Sequence, residues 1–139
     1  MEHKRNVSIL IPYKIANKKE ISIFLQKREK DRKVLPGYFA FFGGKIEDGE
    51  TPEKAMEREI REEMSFTPKG YAFFLKYDFT DWSANVYCLK VNNNFEKEIK
   101  IQEGECGKFF SEKEISLETM IADHDRSILK DFYDRNEIQ

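Results

Sequence analysis

Long apolar runs are missing from this chain of 139 residues. None approaches the roughly 20 residues that a membrane-spanning helix needs, so no membrane partner is expected. The opening stretch, MEHKRNVSIL, also lacks the apolar core of a secretory leader. Cysteine is scarce: Cys88 and Cys106 are the two present, and they form neither a metal-type spacing nor a disulfide framework. They read as free thiols of a cytoplasmic protein. A dominant charge of one sign is missing too. With a net charge of −2, no overall basic field draws nucleic acid or an anionic membrane. There are no repeats, low-complexity tracts or linkers.

What remains is a globular composition. Hydrophobic residues make up 40% and charged residues 36%, with twelve Phe among the former. That length suits one domain with a real core, spanning 1–139. NVSILIPY (Asn6–Tyr13) and ISIFLQKR (Ile21–Arg28) are β-branched and aromatic runs and read as strands. From Glu29 to Glu50 the turn signals Pro36-Gly37, Gly43-Gly44 and Asp48-Gly49 predict a loop-rich region. A helix follows, with Thr51 as N-cap and Pro52 at the first helical position, running to about Met64. YAFFLKYDF and ANVYCLKV read as two further strands. NNNFEKEIKIQEGECG is a polar connection with a short irregular strand, and KFF is a last apolar piece. Ser111 and Glu114 make a capping box for a short turn. HDRSILKDFYDR reads as an amphipathic helix burying Ile128, Leu129, Phe132 and Tyr133. Strands mixed with two separated helices predict an α/β or α+β fold in one domain.

The first helix sorts its side chains by chemistry. With Ile60 at zero and ~100° per residue, Met56, Ile60 and Met64 form a core stripe within ~40° of zero. Glu63, Glu59 and Glu62 then fall near about −60°, −100° and −160°. Lys54, Arg61 and Arg58 lie opposite, while Glu53 and Glu57 break the pattern and read as solvated. Like charges at i, i+3 and i+4 repel by a few tenths of a kcal/mol per pair. The cluster is therefore either a solvated acidic face or a holder for a hard cation such as Mg²⁺ or Mn²⁺. Upstream, Gly43-Gly44 lets backbone approach a ligand closely. Lys45 brings a point charge suited to a phosphate oxygen, and Glu50 and Arg58 can pair across the loop-helix junction. Together these features favour a polyphosphate–metal site.

The stretch GKIEDGETPEKAMEREIREEMSF, Gly44 to Phe66, resembles the Nudix box, G-x5-E-x7-R-E-U-x-E-E-x-G-U, where U is bulky and apolar. Gly44, Glu50, Arg58, Glu59, Ile60, Glu62, Glu63 and Phe66 match at the required spacing. Ser65 stands where the family has glycine, a position that bears on the turn after the helix. Phe42 stands where many members have proline. The resemblance implies a Nudix-type α/β/α sandwich with a mixed β-sheet, and divalent-metal-dependent hydrolysis of a nucleoside diphosphate linked to another moiety.

Carried over residue by residue, it implies Glu59, Glu62 and Glu63 as metal ligands, with the Gly43 carbonyl as an extra one. Glu103, with Glu105 behind it, matches a late-loop glutamate of the mutator-type (MutT-like) members and is a further ligand. Glu63, Glu62 or Glu103 takes the proton of the attacking water. Glu50 and Arg58 orient the ligands. Arg28, at the end of its strand with Lys27, and Lys45 anchor phosphates. Asp123 and Asp125 either hydrogen-bond a purine edge or cap the last helix. Phe24, Phe42 and Tyr77 either stack on a base or pack in the core. The compact length points to a small MutT-like enzyme splitting a nucleoside triphosphate, oxidised purines included, to monophosphate and pyrophosphate. ADP-ribose or a nucleotide sugar is the alternative substrate, and a non-catalytic nucleotide sensor the alternative class. Homodimers are common in the family, so a homodimer is admitted too.

Overall fold

The computed structural model describes residues 4–16, 19–31, 33, 35–102 and 106–136. β1 (Arg5–Ile15) turns back into β2 (Ile21–Lys27), pairing antiparallel with Tyr13 opposite Ile23. Two short strands follow, β3 (Phe39–Ala40) and β4 (Phe42–Lys45), before helix α1 (Pro52–Met64). β5 (Ala72–Asp78) and β6 (Trp82–Lys90) form an antiparallel pair, and the one-turn helix α2 (Phe95–Glu98) comes next. β7 (Cys106–Ser111), α3 (Glu112–Leu117) and α4 (Asp123–Asn136) complete the order. The sheet runs β3-β2-β1-β6-β5, with β4 also on β1 and β7 also on β2. β1 lies parallel to β6, with Leu10 opposite Tyr87, while its other partners are antiparallel. The sheet is therefore mixed.

Alternation along the strands creates two cores. Ile9, Ile11, Ile23, Leu25 and Val86 pack with Ile128, Leu129 and Phe132 of α4. Leu10, Phe24 and Tyr87, one residue out of phase, pack with Met56, Ile60 and Met64 of α1. The result is one domain with helices on both sides of a mixed sheet, the α/β/α sandwich. Met56, Ile60 and Met64 are fully buried, and each contributes about 1.5–3 kcal/mol on leaving water. No described helix is long and apolar enough to cross a membrane.

The caps form as the sequence predicts. Thr51 Oγ1 accepts from the Lys54 N–H at 3.1 Å. Ser111 and Glu114 bond reciprocally at 3.1 and 2.9 Å. Three expectations change. The glycine-rich stretch contains β3 and β4, not loop alone. Among its described residues the polar connection holds helix α2, and its last two, Cys106 and Gly107, open β7. The described residues contain four helices rather than two. Glu53 and Glu57 are also more than solvated charges, because the Tyr71 hydroxyl reaches Glu53 Oε1 at 2.5 Å and Glu57 Oε2 at 2.6 Å. Its one hydrogen serves one carboxylate at a time. Burial, then these two carboxylates, push the Tyr71 phenol up.

Ser65 takes the left-handed conformation itself, at φ 50° and ψ 39°, and its N–H bonds the Arg61 carbonyl at 3.0 Å. The backbone of the next long connection finishes the cap, with Lys100 N–H on the Met64 carbonyl and Gln102 N–H on that of Glu63. The departure from glycine thus leaves the cap geometry in place at a conformational cost. Ser65→Gly relieves that cost and loses the exposed bond from Gln102 Nε2 at 2.9 Å. We expect it to raise stability by about 0.5–1 kcal/mol and leave turnover unchanged, as read by urea unfolding and a steady-state assay.

Candidate active site

Arg58 organises the junction between the glycine-rich stretch and α1. Its Nε and Nη2 hold the two oxygens of Glu50 at 2.7 and 2.9 Å, a bidentate pair. Nη2 also donates to the Lys45 carbonyl at 3.0 Å, and Nη1 to Glu59 Oε1 at 2.9 Å. Glu62 Oε2 lies 3.6 Å from Nη1. The Arg58 guanidinium first, and the Glu47 N–H second, pull the Glu50 carboxyl down to about 2. The same bonds push Arg58 further up, Glu50 contributing most. One side chain thus ties the strand-to-helix connection to the row of glutamates.

The three glutamates lie in graded surroundings, as their angles on the wheel require. Glu63, nearest the core stripe, is buried; Glu59 is half-buried; Glu62 is exposed. Glu63 Oε1 accepts from the Gly43 N–H at 2.8 Å, and its Oε2 from Gln26 Nε2 at 3.3 Å. The Glu59 carboxylate lies directly over Gly44, where an added Cβ would sit 2.5 Å from Cδ. The donor set along this edge is oxygen only, which suits a hard divalent cation. Among the described residues no three acidic, histidine or cysteine side chains converge closely enough to enclose an ion. The row fits Mg²⁺ or Mn²⁺ in donor chemistry, while Glu62 is turned to solvent. Glu103 and Glu105 lie outside the described residues; the chain before them, Lys100 to Gln102, runs along the C-terminal end of α1.

A cleft of about 860 Å³ opens beside this edge. Its lining runs from Gly43, Gly44 and Phe41 past Arg28 to Trp82, His124 and Asp125. Of the expected phosphate anchors, Arg28 lines the cleft; Lys45 does not, although its carbonyl is held by Arg58. Asp123 is exposed at the start of α4 and outside the lining, whereas Asp125 is within it. Burial pushes the Asp125 carboxyl up to about 7, with Arg28 pulling the other way. His124 stacks flat on Phe79 at 4.1 Å and meets Trp82 edge-on at 5.4 Å, so the wall of the cleft is aromatic. Phe24 and Phe42 stack on each other at 5.5 Å inside the core, and Tyr77 donates to Asp131 at 2.8 Å. For these three the packing reading holds. Gln26, Trp82 and His124 carried no prediction. The strand alternation did place Gln26 on the face of Phe24, an amide where an apolar residue belongs, and that was the available signal.

Comparison with known proteins gives a consistent result. The model of the NUDIX domain matches residues 3–132. The 8-oxo-dGTP diphosphatase of Escherichia coli K12 is 37% identical over 91 residues, 64% of this chain and 69% of that protein. Nucleoside triphosphatase NudI of Enterobacter sp. strain 638 is 55% identical over 40 residues, 29% of this chain but only 28% of that protein. Among solved structures, a MutT NUDIX hydrolase from Burkholderia pseudomallei superposes with a TM-score of 0.71 at 23% identity, covering 93% of this chain and 98% of that one.

Proposed function

The chain belongs to the NUDIX family, among its MutT-like hydrolases, and from that premise we propose that it splits a nucleoside triphosphate to monophosphate and pyrophosphate with a divalent cation. The observation that carries the reading is the continuity of the cleft with the carboxylate edge at Gly43 and Gly44. A cleft of about 860 Å³ lies within the roughly 300–1,000 Å³ usual for small-ligand sites. The relatives support the triphosphate: one acts, by its name, on 8-oxo-dGTP, and the other on nucleoside triphosphates. We take residues 1–139 as a single hydrolase domain.

The cation, Mg²⁺ or Mn²⁺, would be held by Glu59, Glu62, Glu63 and the Gly43 carbonyl, with Glu103 added, and supplies charge neutralisation and a more acidic water. Arg28 binds phosphate from the cleft wall, and Lys45 attracts it from the rim. Glu63 accepts the proton of the attacking water, with Glu62 and Glu103 as the alternative bases. Arg58, braced by Glu50, fixes Glu59 in orientation and keeps the strand-to-helix connection closed against α1.

Asp125, in preference to Asp123, reads the base. Half-buried in the cleft, it donates a hydrogen bond when protonated and accepts one when ionised. Its raised pKa gives a pH signature in the protein without ligand. Between about 4 and about 7 the folded state holds a proton on Asp125 that the unfolded chain releases. That contribution to stability is full below the ordinary carboxyl value and is lost as pH rises toward about 7. Asp125→Asn should remove this part of the slope, as seen in urea unfolding at a series of pH values. An unchanged slope would place the Asp125 carboxyl at an ordinary pKa.

The decisive test of the reaction is hydrolysis by purified protein over nucleoside triphosphates, oxidised purine triphosphates, ADP-ribose and nucleotide sugars, with and without Mg²⁺ or Mn²⁺. Metal-dependent pyrophosphate release from a triphosphate is the expected result. Preference for ADP-ribose or a sugar nucleotide would replace the substrate and keep the cleft. Tight binding without turnover under either metal would make the chain a sensor.

A further inference from the structure

We infer that Gln26 is a positioning residue for the hydrolysis, acting through Glu63; the inference rests on the role given to Glu63 above. Gln26 lies near the end of β2 on the face that packs against α1, and it is buried. Its Nε2 donates to the Phe41 carbonyl at 3.1 Å and to Glu63 Oε2 at 3.3 Å. Both neighbours are acceptors, so the amide has one workable orientation: turned over, its oxygen would face two oxygens. Each of its two hydrogens has a use, and the Phe41 bond stops the group from rotating away. On the other side the Gly43 N–H holds Glu63 Oε1 at 2.8 Å.

The Glu63 carboxylate is therefore gripped by donors from two strands, β2 and β4. A glutamate has three side-chain torsions to lose before it can present one lone-pair direction to a cation or a water. The Gly43 contact alone fixes one oxygen and leaves the plane of the carboxylate free to turn. The Gln26 contact fixes the second oxygen and so the plane. Gln26 does not line the cleft, so this role separates from substrate binding. Phe41 does line it, and the amide ties that wall to the glutamate.

The test is Gln26→Met, which keeps length and removes both donors, measured alone and combined with Glu63→Gln. Loss of a partner that orients a metal-site group typically lowers function about 10–100-fold. We expect kcat to fall about tenfold, at the low end because the contact is long, with KM within about twofold. In the Glu63→Gln background the same change should lower kcat by less than about twofold further, because the group it positions is gone. Losses that multiply, or a rise in KM alone, would overturn the inference and assign Gln26 to packing or binding. Wild-type turnover in folded Glu63→Gln would instead remove Glu63 from the reaction, and the inference with it. If Gln26→Met does not fold, the side-chain amide resonances of Gln26 decide the matter. They should shift between wild type and Glu63→Gln and again when Mg²⁺ is added to the wild type. Resonances indifferent to both would overturn the proposal without any activity measurement.

Discussion

Replacing Glu63 with glutamine should lower turnover at least about a hundredfold, the scale on which a proton-accepting or metal-activating group acts. The substitution keeps size and shape and removes one charge. In the wild type both carboxylate oxygens face donors, the Gly43 N–H and the Gln26 amide. A glutamine has one acceptor to offer, so its own NH₂ must meet a donor on one side. The shorter bond, 2.8 Å from Gly43, should keep the oxygen, and the mismatch then falls at Gln26. A buried donor left without its partner costs about 1–3 kcal/mol, so a lower midpoint in urea should accompany the kinetic loss. Against a typical stability of about 5–15 kcal/mol, the variant remains folded. Turnover at saturating metal and nucleotide, measured beside the unfolding midpoint, separates the two effects. Glu62→Gln is the informative companion, since Glu62 is exposed and its partner Arg58, 3.6 Å away, keeps shorter bonds to Glu50 and Glu59. If Glu62→Gln costs more than Glu63→Gln, the proton passes to Glu62.

What the sequence made legible, and what it did not, follows from distance along the chain. The α1 glutamates sit on one helix, where about 100° per residue fixes their mutual placement. Their graded burial follows from that geometry, and the Glu50–Arg58 pair spans only eight residues across the loop-helix junction. Caps at Thr51 and Ser111 are local for the same reason. The strands β3 and β4 were hidden because they exist through pairing with β2 and β1, and glycines carry no β-forming side chain to announce it. The Tyr71 contacts with Glu53 and Glu57 join residues a helical wheel cannot relate. Which of Asp123 and Asp125 faces the cleft is a matter of rotation. The two differ by about 200° on α4, so only one can face the cleft, and the packing of Ile128, Leu129 and Phe132 on the sheet decides which. The aromatic wall of Trp82 and His124, with Phe79 stacked on His124 outside the lining, draws on two separate regions of the chain, and no spacing rule connects them.

The two adjacent glycines of β4 should answer differently to the same added methyl group. At Gly43, φ is +142° and an added Cβ would stand 2.2 Å from the Ser8 carbonyl oxygen and 2.7 Å from Ile9 Cα. Those are backbone atoms of β1 in the middle of the sheet and cannot step aside. Strain and overpacking together amount to about 2–6 kcal/mol, so Gly43→Ala should unfold the protein or leave it barely stable. At Gly44, φ is outside the left-handed region, and the three atoms nearest the added Cβ all belong to the Glu59 carboxylate, at 2.5 to 2.7 Å. That is the far end of a flexible side chain, and it can swing away. Gly44→Ala should therefore fold with an unfolding midpoint near that of wild type while Glu59 leaves its place and its 2.9 Å bond to Arg58. With a ligand displaced, turnover should fall about 10–100-fold and the Mn²⁺ concentration for half-maximal rate should rise in step. Full activity in Gly44→Ala, at unchanged metal demand, would show that the observed position of Glu59 is not the one the reaction uses. A fold lost at Gly44 as completely as at Gly43 would show that the Arg58–Glu59 contact carries stability as well as orientation.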